Sequence, residues 1–287
     1  MRLSCLVSIF CLVCVSSSAQ QSTPAPTTSD PQAVALLQRA LAALIGNATV
    51  SDITLTGTAQ RIAGSDNETG TATVAALAGG YSKITLSFPS GARGEIRNAS
   101  GIPLPGALPS GTPASAAQSL QPVGAWSGPD GVLHPIVSHN LMTDASWFFP
   151  VFTLSNLLSP QVYILSYIGQ DTLDNQAVLH ISAVQQFPGL SNAPSQITGL
   201  AQHLSQMDIY LNPSSLLPVA LSFSVHQDND ALIDIPVEIQ FSGYQVFNGV
   251  QVPLHVQKYL SYALVLDLQL NSAALNSGLT AATFQLQ

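Results

Sequence analysis

Six histidines and fifteen carboxylates are the side chains of this 287-residue chain that could hold a metal or move a proton. His134 and His139, with Asp144 close behind, offer imidazole and carboxylate, the common zinc ligands. A spacing of five does not set two rings on one helical face, and Pro135 stands between them, so no metal is expected there. Asp228, Asp230 and Asp234, with Glu238 nearby, could collect oxygen ligands for calcium. The glycine and the ligand order of a calcium loop are missing, however, and the run reads as a polar hairpin turn. His180, His226 and His255 each fall on the polar side of an alternating segment, which predicts solvated sheet histidines. Cys5, Cys11 and Cys14 all precede residue 15, so the rest of the chain has no thiolate for a metal, a disulfide or nucleophilic attack.

The sequence holds no G-x-S-x-G elbow, H-E-x-x-H, phosphate-binding glycine loop or dinucleotide fingerprint. No catalytic residue and no cofactor is assigned on this basis. A dispersed Ser/His/Asp trio is recognised by geometry rather than by position, which leaves an exported hydrolase as a third reading. The densest apolar cluster is Trp147, Phe148, Phe149, Phe152, Leu154, Leu157 and Leu158. Ligand pockets are concave and mainly apolar, so these side chains could line a site for an acyl chain. Aromatic clusters also dominate ordinary cores, and that reading stands beside the first.

The elements that would position this cluster are legible in the apolar period. Asp30 can cap a helix that opens with Pro31 and closes at Gly46, with Val34, Leu37, Leu41 and Leu44 at helical spacing, which predicts a helix over 31–45. Beyond it the period falls to two, the signature of half-buried strands. Ile53, Leu55, Gly57 and Ala59 alternate with polar neighbours, Ser65-Asp66-Asn67 reads as a turn, and 69–74 returns as the second strand of a hairpin. A strand over 83–88 sets Ile84, Leu86 and Phe88 inward, and Arg93, Glu95 and Arg97 share a face that reads as a solvated charge stripe. Residues 98–135 lose the pattern, and 138–160 reads as two short helices, the second over about 151–158. Strands resume at 161–168 and 176–184. After a polar stretch around 189–204, four alternating strands run to the end, joined through Asp228-Asn229-Asp230, Asn248-Gly249 and Leu260-Ser261. The expected fold is mainly β, a curved antiparallel sheet or incomplete barrel covered by the N-terminal helix and the short inserted helices.

Arg2 followed by an apolar run from Leu3 to Val15 and by Ser16-Ser17-Ser18-Ala19 has the form of a secretory signal cleaved after Ala19, which predicts a periplasmic or secreted protein. The run is too short for a membrane anchor. Residues 20–29 read as a flexible Pro/Ser/Thr tether, and 30–287 as one β-rich domain with an irregular and helical insertion at about 98–160. Asn47, Asn67 and Asn98 begin glycosylation sequons, which would matter only in a eukaryotic secretory pathway. The net charge of −8 argues against nucleic acid as a partner. Only 8% of residues are charged against 46% hydrophobic, a balance suited to covering a greasy interior or ligand.

Four features in order resemble the outer-membrane lipoprotein carrier class, the LolA-like fold. They are the amphipathic helix after the signal; Asp208-Ile209-Tyr210-Leu211 followed by SSLLPVALSF; PVEIQFSGYQVFNGVQVPLHV; and the terminal LTAATFQLQ. The resemblance spans roughly 31–97 and 161–287. It implies an incomplete barrel closed on its concave side by helices and binding lipoprotein acyl chains or other lipids. Arg61, Arg93 and Arg97 are the available counterparts of the arginine such carriers use in closure. The leading expectation is an exported envelope protein holding a lipid or acyl chain beneath 138–158. The alternative is a non-catalytic module with a filled core and another envelope protein as partner.

Overall fold

The computed structural model describes residues 28–98, 123–143, 145–159, 162–187 and 193–285. The stretches read as signal and as most of the tether lie outside these residues, as do Asp144 and most of 98–122. Helix α1 spans Pro31–Ile45 as expected: the Asp30 side chain accepts from Gln32 N at 2.8 Å, Pro31 takes the first turn where no amide bond is lost, and Gly46 ends the helix at φ 53°. Its buried stripe is Ala33, Leu36, Leu37, Ala40 and Leu44, with Val34 and Leu41 at the margin.

Among the described residues thirteen antiparallel strands follow: β1 (Asp52–Ala63), β2 (Asp66–Leu77), β3 (Tyr81–Phe88), β4 (Gly91–Asn98), β5 (Val123–Ser127), β6 (Leu133–Pro135), β7 (Tyr163–Leu173), β8 (Gln176–Gln185), β9 (Met207–Leu211), β10 (Pro218–Gln227), β11 (Asp230–Phe247), β12 (Val250–Leu260) and β13 (Ala263–Leu275). They form one curved, unclosed sheet in the order β6-β5-β4-β3-β2-β1-β13-β12-β11-β10-β9-β8-β7. Every pairing joins strands consecutive in the chain except one, the ladder between β1 and β13, which runs from Ile53↔Leu275 to Arg61↔Leu266. Tight turns with positive φ at Asp174-Asn175, Asn248-Gly249 and Ser261-Tyr262 suit the right-handed twist of the flanking strands. Tyr262 is the tip of such a turn and is exposed.

Two sheet edges remain, and each is managed. β6 has only three residues and ends in Pro135. On β7, the Ser29 hydroxyl accepts from Leu165 N and donates to Tyr163 O, while Asp30 N donates to Leu165 O at 2.7 Å. The end of the stretch read as a tether is thus pinned along an edge strand.

The inner face carries Ile53, Leu55, Val74, Ile84, Leu86, Ile209, Leu221, Val237, Ile239, Val256 and Leu268, all buried. Helix α1 lies against it near β7 and β12, with helix α2 (Pro150–Leu157) beside it. A 3-10 turn at Ser138–Leu141 crosses to β10, where Asn140 Nδ2 donates to His226 O and Asn140 Oδ1 accepts from His226 N. The sequence reading missed β5 and β6 in the stretch taken as irregular and helix α3 (Ser195–Leu204) in the stretch taken as polar coil; β9 and a 3-10 turn at Ala281–Phe284 were not placed either. The first two are short and interrupted by glycine or proline, so no alternation announced them; α3 does carry Ile197, Leu200, Ala201 and Leu204 at helical spacing, a signal the reading passed over, although only Leu204 is buried. Of the sequon residues, Asn47 and Asn67 are exposed and Asn98 is buried.

The β1–β13 junction is locked at its open end by Asp52. Its carboxylate accepts from Ser277 N (2.7 Å), Ser277 Oγ (2.8 Å), Gly278 N (3.1 Å) and Ser51 Oγ (3.0 Å). Burial alone would push this carboxyl up, but the donors outweigh it and hold it below the usual carboxylate range. A group lowered by folding contributes stability that is present above its unfolded pKa and lost as pH falls through the folded one. Asp52→Ala is therefore expected to cost roughly 1.5–3 kcal/mol at neutral pH in urea unfolding. The gap between wild type and variant should shrink as pH drops below about 4; a gap independent of pH would disprove the carboxylate's role.

Candidate ligand-binding site

The cluster expected to line a pocket folds into the concave side of the sheet, where it forms a plug with a cavity at each end. Trp147, Phe148, Phe149, Phe152, Leu154 and Leu157 are all buried in one core. Phe149 and Phe152 pack edge to face with centroids 5.0 Å apart, as do Trp147 and Phe148 at 5.6 Å. Pro150 starts α2 at the position where a missing N–H is harmless, and Leu158 closes it. Leu157 and Leu158, at the end of the plug, line an apolar cleft of about 450 Å3 with Val34, Tyr163 and Leu165 between α1, α2 and β7. Trp147, at its start, lines a pocket of about 220 Å3 bounded by β3, β4, β5, β12 and β13. Phe148, Phe149, Phe152 and Leu154 lie in the packed middle and line neither.

The smaller pocket corrects one expectation. Arg93, Glu95 and Arg97 do share a face, but it is the inner one. Register decides this: Leu86 stands opposite Arg93, Ile84 opposite Glu95 and Ser82 opposite Arg97, and directly opposed residues project to the same side of a sheet. Alternation identifies the two faces of a strand without saying which is inside. Lys258 arrives on the same face, opposite Ile239 on β11 and Leu266 on β13. Its ammonium lies 4.8 Å from the centroid of the Trp147 ring, a cation–π contact. Trp126, opposite Glu95 on β5, stacks on His134 at 4.3 Å and forms the half-exposed rim.

Two cations, Arg93 and Lys258, therefore meet Glu95 over a floor of Ile84, Leu86, Leu266 and Trp147, and Arg97 stands beside the pocket on the same face. Arg97 Nε donates to Glu95 Oε1 at 2.8 Å. Burial alone would raise the Glu95 carboxyl, but Arg97 and Lys258 beside it hold it below the usual range. Burial pulls the Lys258 ammonium down, with Glu95 opposing and Arg97 reinforcing. Among the described residues, Arg93 Nε, Arg97 Nη1 and the Trp147 indole Nε1 are buried donors with no hydrogen-bond partner. Buried donors are almost always satisfied, so these mark where an acceptor, an ordered water or a ligand, would sit. Nothing in the local sequence signalled this, because Lys258 is some 160 residues from the arginines.

The other predicted groups fall elsewhere. His134 and His139 are not brought together: one stacks on Trp126, the other packs edge-on to His226 at 5.9 Å. The acidic set disperses, with Asp230 capping Leu232 N and Glu238 accepting from Gln240. His180 and His255 sit on the outer face in polar rows, His180 on Asp208 at 3.0 Å and His255 between Ser242 Oγ and Asp267. That Ser242–His255–Asp267 row spans three strands, but Asp267 is also held by Gln257 and Gln269, and the row lines neither cavity. His226, expected to be solvated, is buried beneath His139 and His203, and its burial lowers its pKa.

An interior cation without a full partner costs stability, so Lys258→Met should raise the melting temperature of ligand-free protein, by an equivalent of about 1 kcal/mol. Folding lowers the Lys258 pKa, so its cost is fully present at neutral pH and fades as pH rises toward the unfolded value near 10.4. Thermal scans between pH 7 and 10 should show the two proteins converging; a variant less stable than wild type at pH 7 would show the ammonium to be already compensated.

No protein-family model matches the chain, and no curated protein does. Solved structures do. A domain assigned as an outer membrane lipoprotein-sorting protein from Vibrio parahaemolyticus is similar over 88% of this chain and 96% of its own, at 11% identity and a TM-score of 0.52. A DUF1329 family protein from Desulfovibrio piger is similar over 90% of this chain and 98% of its own, at 11% identity and a TM-score of 0.53. A LolA superfamily protein from Nitrosomonas europaea aligns over 88% of this chain and 97% of its own, at 11% identity and a TM-score of 0.48. The chain has the LolA-like fold that its sequence resembles.

Proposed function

We propose that this protein is exported, with residues 1–19 as its cleaved signal, and binds an anionic amphiphile in the concave side of the sheet as a carrier or receptor. The observation that carries the reading is the interior pocket where Arg93 and Lys258 outnumber Glu95, itself paired with Arg97 beside the pocket, over an apolar floor. Such a pocket matches a carboxylate or phosphate beside hydrocarbon and suits neither a neutral hydrocarbon nor a sugar. At about 220 Å3 it has room for a head group, whereas the 450 Å3 cleft at the other end of the plug falls in the usual range for whole ligand sites. Support also comes from the fold shared with a lipoprotein-sorting domain. Among the described residues no helix is long and apolar enough to cross a membrane.

A second reading rests on the packed middle of the plug. Phe148, Phe149 and Leu154 have no solvent exposure, as expected for a non-catalytic module with a filled core and a protein partner. One experiment separates the two: mass spectrometry of organic extracts from residues 20–287, exported and purified without detergent, against a control envelope protein. The lipid reading expects a stoichiometric anionic lipid or fatty acid that falls at least about tenfold in a Lys258→Met, Arg93→Ala double variant, the loss of two charge-assisted contacts. An extract equal to the control would reject it in favour of the filled module.

A further inference from the structure

Where β10 turns into β11, a second cluster stands apart from the interior pocket. His226 and Asp234 oppose each other across the β10–β11 ladder, and His203 reaches them from the last turn of α3. The Nε2 atoms of His203 and His226 each lie 2.9 Å from the same oxygen, Asp234 Oδ1. All three ligand atoms fall within 4.8 Å of one another, and among the described residues no other group of three histidines or carboxylates converges this closely.

We propose that His203, His226 and Asp234 bind a zinc-class divalent cation, with water completing the shell. A tetrahedral ion with bonds of about 2.0–2.1 Å sets its ligand atoms roughly 3.3 Å apart. The imidazole–carboxylate separations are a few tenths shorter, and outward movement is open to His203 and Asp234, whose side chains are each 43% exposed. The His226 side chain is 1% exposed and supplies the rigid ligand. Hydrogen bonding alone requires both rings to present Nε2–H to one oxygen, whereas a cation takes both Nε2 lone pairs and that oxygen together. The outer face has ordinary His–Asp pairs for comparison, His180–Asp208 and His255–Asp267, and in those a single imidazole meets the carboxylate. Two nitrogens with one oxygen select zinc and its neighbours over calcium or magnesium, which take oxygen shells. The bound ion would tie α3 to the β10–β11 hairpin. Through Asn140 on the His226 backbone it would also brace the Ser138–Leu141 turn.

The test uses untagged, metal-stripped protein of residues 20–287 in equilibrium dialysis against zinc, with cobalt as a spectroscopic probe. Wild type is expected to take up one zinc per chain in the presence of excess magnesium and calcium, and cobalt should give the visible bands of a four-coordinate site. His203→Ala and Asp234→Asn, both at half-exposed positions that leave the fold intact by circular dichroism, should weaken zinc at least about tenfold. His134→Ala, which removes a histidine elsewhere, should leave it unchanged. Zinc should also raise the melting temperature of wild type and not of the two site variants. Absence of stoichiometric uptake by wild type, or equal uptake by His203→Ala and Asp234→Asn, overturns the site.

Discussion

The architecture depends on the pairing of β1 with β13. Every other ladder joins strands consecutive in the chain, most of them through short hairpin turns, so each half of the sheet is built from comparatively local pairings. Only this ladder makes them one surface. It brings together residues more than 200 positions apart, so its loop-closure entropy must be offset by what the joined sheet buries. Its register is correspondingly well defined. A bulge at Thr56/Gly57 bends the strand, and a Cβ at Gly57 would stand 2.2 Å from the Gln269 carbonyl, so only glycine lets the two backbones approach. Asp52 then holds the end of the ladder through the backbone and side chain that follow β13.

Joining the halves creates a concave apolar face too wide for one helix to cover. Helix α1 covers the part near β7 and β12, and the segment from Trp147 to Leu158 fills the rest. The fill is complete in the middle and incomplete at both ends, which is why the cavities lie at Trp147 and at Leu157–Leu158. Charge inside such a face is costly unless it is paired. The chain places Arg93, Arg97 and Lys258 there with one carboxylate, Glu95, among them, an excess of positive charge that the proposed anionic ligand would balance.

The outer face obeys a different rule. Its carboxylates and histidines meet in cross-strand rows, because opposed residues in an antiparallel sheet stand about 4.5–5.5 Å apart at Cβ. His255 between Ser242 and Asp267, and His180 on Asp208 and Tyr210, are such rows. His226 differs from them only because α3 and the Ser138–Leu141 turn fold over its end of the sheet, which turns a surface pair into a three-element cluster around one buried imidazole.

Local periodicity determined much of this protein. Asp30, Pro31 and Gly46 bounded α1 to the residue, the alternation of β1, β3 and the last four strands marked their faces, and Asn248-Gly249 marked its turn, because capping, pleat and turn chemistry act over a few neighbouring residues. The aromatic run around 147–158 was legible as something buried, and the LolA-like arrangement as a resemblance. Only the tertiary structure decided which face of β4 points inward, and so turned an expected solvated stripe into the charged wall of a pocket. Only it brought Lys258 to Arg97 and His203 to Asp234, and only it separated the residues at the ends of the plug from those packed in its middle. The physical reason is common to all of these: inside and outside are defined by strand register and by what covers each face, and both depend on contacts between residues far apart in the chain.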